Sequence, residues 1–186
     1  MVTAGWVAIA LAVVCLVSLG SIILLFTVGG PFGFLNDAGN ALIGLLSAAL
    51  ALMLVSQVAG WAGVVATVAG AAVAVWGSWL VMTGSTGFVL AGFVSTIGFG
   101  LIGLWLALAA WGRGGEALFG PLLGVARSAS VAMMIGGLAA VPGSLMRSDS
   151  YDAMPGWLWL FALGWIGVYA LYPITMLALG RRLVEP

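Results

Sequence analysis
GWVAIALAVVCLVSLGSIILLFTV, Gly5 to Val28, runs for twenty-four residues without a charge or a proline. Crossing about 30 Å of hydrocarbon takes about 20 apolar residues at about 1.5 Å each, so the stretch is long enough to span a bilayer. It exceeds a signal-peptide core of about 7 to 15 residues and has no Lys or Arg before it, which reads as a retained first helix. Hydropathy of this kind extends over the whole chain. Of 186 residues, 64% are hydrophobic and 5% charged, and the mean hydropathy is +1.28. Soluble domains carry about 25% charged residues, so the composition predicts an all-α, polytopic integral membrane protein.

Six segments reach spanning length: 5–28, 40–59, 62–83, 87–111, 121–145 and 156–179. The gaps between them are short and rich in Gly, Pro and polar residues, with no room for a soluble domain, so residues 1–186 read as a single transmembrane domain. Seven tryptophans, Trp6, Trp61, Trp76, Trp79, Trp111, Trp157 and Trp159, fall near segment ends, as expected of side chains that favour the headgroup boundary. Trp165 sits mid-segment and is expected to pack between helices.

Charge sets the expected orientation. Five Arg balance five Asp plus Glu, leaving no basic field for nucleic acid. Six spans put both termini on one side, together with Arg113, Arg181 and Arg182, against Arg147 alone on the other. The positive-inside rule then places the termini in the cytoplasm, with a bacterial plasma membrane as the expected location. Asp37, Asp149 and Asp152 fall on the outer side.

The chain has no His and no Lys, which removes His-ligated haem or metal, Ser–His catalysis and Schiff-base cofactors. No Asp or Glu lies within the six segments as drawn, which disfavours an intramembrane aspartyl protease and a carboxylate proton relay. The lone Cys15 permits no internal disulfide. No cofactor and no metal are expected, and an enzymatic role is disfavoured.

Four groups of residues stand out. Arg127 carries a permanent charge into the fifth segment, where it either snorkels to the interface or is held inward by Gln57 or Glu116; with these partners it is the candidate ligand site, for an anionic group. Asn36, Asp37 and Asn40, in the loop GGPFGFLNDAGN, are expected to cap the second helix or line an external mouth. Pro142 in the fifth segment, and Pro173 with Tyr169 and Tyr172 in the last, are candidate kinks or gates. Gly124, Ser128, Ala132, Gly136 and Ala140 recur every four residues, and Gly70 belongs to a similar series in the third segment, so both series are expected to form helix-packing stripes.

Three functions fit a bundle with these features. The first is a non-catalytic subunit or accessory component of a membrane complex, with lipid and other membrane proteins or further copies as partners. The second is a transporter or channel for a small solute, built around kinked helices and Arg127. The third is a lipid-binding or lipid-modifying protein. A polar cavity at membrane depth separates the second from the first.

Overall fold
Six helical spans form a closed ring in the computed structural model, which describes residues 1–58, 60–146 and 154–185. Helices α1 (Val2–Val28), α2 (Phe32–Met53), α3 (Gly60–Met82) and α4 (Phe88–Trp111) run up and down in sequence. A five-residue helix, α5 (Gly115–Phe119), leads into α6 (Leu123–Met146). The sixth span is composite: a 3₁₀ stretch (Gly156–Phe161), α7 (Ala162–Ile166), a π-helical stretch (Gly167–Leu171) and α8 (Tyr172–Val184). Each span packs on the next, and α8 returns to α1. All six are long and apolar enough to cross a membrane.

Glycines set how closely the spans approach. A methyl placed on Gly98 of α4 would lie 2.7 Å from the Ala74 nitrogen of α3, and one on Gly100 would lie 2.9 Å from the Gly137 Cα of α6. On α6, a methyl at Gly136 would collide with the Gly164 backbone of the sixth span. Where lipid solvates apolar side chains as well as protein does, such backbone approach is what favours helix association. The interior is filled by Leu11, Ile43, Leu50, Phe99, Ile102, Trp105, Met133 and Tyr172.

The packing stripe drawn on the fifth span holds only in its middle. Gly136 and Ala140 are buried and Ala132 partly so, but Gly124 and Ser128 are exposed. A four-residue step overshoots a 3.6-residue turn by about 40°, so the series winds off the contact face over several steps. The third-span series behaves alike: Gly70, Ala74 and Ser78 are buried and Ala62 is exposed.

The second span differs most from expectation. It begins at Phe32 and not at residue 40. Gly29 (φ 74°) and Gly30 (φ 81°) occupy the left-handed region, so the chain reverses within three residues ending at Pro31. Asn36, Asp37 and Asn40 are therefore neither caps nor loop residues. They lie inside α2, all three buried. The exclusion of a carboxylate from the spans falls with that boundary, because Asp37 is within one.

Candidate functional site
Asn36, Asn40 and Ser47 share one face of α2, at spacings of four and seven residues. Opposite them the sixth span presents Tyr169 and Tyr172, 4% and 0% exposed. Pro173 has no N–H to donate to the Tyr169 carbonyl, and the π-helical stretch that carries Tyr169 ends two residues before it. Thr175 Oγ1 donates to the Leu171 carbonyl at 2.9 Å, so a local hydroxyl serves this irregular turn. The tyrosine hydroxyls instead bond across the bundle to α2. Pro142 makes no comparable break, because α6 is assigned as one helix through it.

The cross-bundle bonds close a ring of three side chains. Tyr169 donates its hydroxyl hydrogen to Asn40 Oδ1 at 2.6 Å, Asn40 Nδ2 donates to Asn36 Oδ1 at 3.2 Å, and Asn36 Nδ2 donates to the Tyr169 oxygen at 3.3 Å. Asn36 Nδ2 also donates to the Ser18 carbonyl of α1 at 3.1 Å. Deeper in the bundle, Ser47 Oγ and Tyr172 OH lie 3.0 Å apart. The triad ties α1, α2 and the sixth span together, and burial makes each bond costly to break.

Beside the triad is a small chamber. Its walls come from Ile22 of α1, Asn36, Asp37 and Asn40 of α2, Phe88, Gly92, Ser95 and Phe99 of α4, and Trp165 and Tyr169 of the sixth span. Its volume of about 10 Å³ is that of one water molecule. Trp165 packs between spans, its indole Nε1 donating to Thr96 Oγ1 at 3.1 Å, which holds the ring against the chamber. Asp37 is 7% exposed and lines the chamber, and among the described residues no side chain or backbone group is hydrogen-bonded or ion-paired to its carboxyl. Arg113, Arg127, Arg181 and Arg182 all sit at the opposite end of the bundle, with the chain termini.

Arg127 has a different setting from the one expected. Its Nε donates to the Ala110 carbonyl at 3.3 Å, and its guanidinium carbon lies 5.5 Å from the centre of the Trp111 ring. Ala110 and Trp111 end α4, so the arginine meets the negative end of a helix dipole and an aromatic face together. Gln57 is exposed and donates to the Met1 sulfur at 3.2 Å. Glu116 is exposed on α5, where its backbone carbonyl accepts from Arg182 at 3.3 Å. The structure therefore does not bring Arg127, Gln57 and Glu116 together as one site.

Ser95, Thr96, Phe88, Gly92 and Phe99 were not legible as site residues in the sequence. The positions 88, 92, 95 and 99 have the spacing of one helix face, but only their position opposite Asp37 gives that face meaning. Arg147, Asp149 and Asp152 lie outside the described residues. The chain matches no protein-family model, no curated protein and no solved structure.

Proposed function
We propose that the chain is a transporter- or channel-class membrane protein that takes up a small solute at the Asp37 chamber. The single observation that carries this reading is a carboxyl within a span, 7% exposed, that lines a cavity and has no partner among the described residues. Asp37 stands about 8 Å along α2 from its first residue, and carboxylates within spans characteristically mark ion or substrate paths. A π-helical stretch bearing Tyr169 adjoins the same chamber, and such stretches recur at functional sites. Phe88 is the first residue of α4, so the chamber reaches towards the bundle end away from the termini. With the termini cytoplasmic, as the arginine distribution favours, that end faces outwards in a bacterial plasma membrane.

The accessory-subunit reading assigns Asp37 no role. Arg127, the expected contact for an anionic ligand, is engaged by the Ala110 carbonyl and the Trp111 ring, so the transport reading rests on Asp37 and not on Arg127.

Opening of the chamber is testable at Gly92, where an added Cβ would lie 3.6 Å from the Trp165 ring, an ordinary van der Waals contact. In a Cys15→Ala background, Gly92→Cys is expected to react with a charged, membrane-impermeant thiol reagent applied to the face away from the termini. A cysteine at Ala74, buried between α3 and α4, serves as the unreactive control. A Gly92→Cys protein as unreactive as that control would describe a static bundle and overturn the reading.

A further inference from the structure
We infer that the occupant of the Asp37 chamber is a single monovalent cation, either a metal ion of about the size of sodium or a proton carried on water. This rests on the reading that the chamber takes a solute and names the solute's class. Three features select it. Asp37 supplies one negative charge, and the other titratable group at the chamber is Tyr169; α1 contributes Ile22 there, and α4 contributes Phe88, Gly92, Ser95 and Phe99. One positive charge neutralises such a site, whereas two leave a buried excess.

Size is the second feature, because about 10 Å³ has room for one water-sized particle. Magnesium keeps several waters when bound, and calcium takes about six to eight oxygen ligands.

Ligand chemistry is the third. The lining residues with polar side chains are Asp37, Asn36, Asn40, Tyr169 and Ser95, the last with its hydroxyl against Gly77 of α3; their oxygens suit a hard cation. Among the described residues no group of three or more His, Cys, Asp or Glu could hold a transition metal. Phe88, Phe99 and Trp165 complete the wall with aromatic surface, which tolerates a cation. Tyr169 belongs both to this wall and to the triad with Asn36 and Asn40, so an occupant is in direct contact with the sixth span's irregular turn.

Two measurements on the full-length protein in liposomes separate the two members of the class. In the first, an apolar carbodiimide modifies Asp37, read by mass spectrometry of the peptide, in sodium, lithium, potassium or choline chloride at one pH and ionic strength. A resident metal ion slows modification by about tenfold once its concentration exceeds its Kd about tenfold, with choline inert. In the second, a potassium diffusion potential drives uptake of protons, read by a trapped pH dye. A proton site gives uptake that Asp37→Asn abolishes and Asp37→Glu retains in part.

Protection by a small metal cation, or proton uptake dependent on Asp37, supports the inference. Modification at equal rates in all four salts, together with uptake unchanged in Asp37→Asn, would overturn it. The carbodiimide reads occupancy of Asp37 and the thiol reagent reads access of water to Gly92, so the failure of one reading is distinguishable from the failure of the other. Protection without thiol reactivity would leave a cation site in a bundle that does not transport.

Discussion

Asp37 and Arg127 are two charged side chains in an apolar chain, and their surroundings divide their roles. Arg127 satisfies the end of α4 through the Ala110 carbonyl and the Trp111 ring. Replacing it with Gln should lose about 1 kcal/mol of stability, from the cation–π and helix-dipole contributions together. Arg127→Lys should lose less, since a cation remains. Thermal unfolding in detergent checks both, and a Gln variant that unfolds with the wild type would remove the capping role. The Tyr169 hydroxyl is the corresponding structural element of the chamber wall. Tyr169→Phe leaves Asn40 Oδ1 without its donor and leaves Asn36 Nδ2 with the Ser18 carbonyl alone, so a loss of about 1 to 3 kcal/mol is expected in the same assay.

The elements were legible in the sequence where length and hydropathy alone define them. The third and fourth spans fall within a few residues of the segments drawn from apolar runs, and the tryptophans at their ends are exposed. The start of α2 was not legible, for a physical reason. Asn36, Asp37 and Asn40 follow a Gly-Gly-Pro turn and read as loop, because polar residues ordinarily seek water. What buries them is Tyr169, 129 residues beyond Asn40 in the chain. A partner that distant leaves no local trace in periodicity. The Arg127 environment was hidden alike, since Ala110 and Trp111 are ordinary in composition and matter only because α4 ends beside α6. The contact between α6 and the sixth span gives an element-scale prediction. Gly136→Leu would force the side chain into the Gly164 backbone and should cost about 1 to 3 kcal/mol, whereas Gly124→Leu, with open space around Gly124, should cost little. Equal unfolding temperatures for the two variants would contradict this packing.

For the whole molecule, a closed ring of six spans is filled along its axis and relaxes that packing beside Asp37. Stability alone does not account for a carboxyl there, because an unpaired buried charge opposes folding. A site retained for binding is expected to carry such a cost, and its removal to stabilise the fold while removing the function. The most direct measurement is thermal unfolding of the wild type and Asp37→Asn, each in choline chloride and in sodium or lithium chloride at a fixed pH. The account predicts that Asp37→Asn is at least as stable as the wild type in choline and that a stabilising response to the small cation, where the wild type shows one, is absent from the variant. An Asp37→Asn protein destabilised by about 2 kcal/mol or more would make Asp37 a structural residue with its hydrogen bonds already satisfied, and would contradict the central claim.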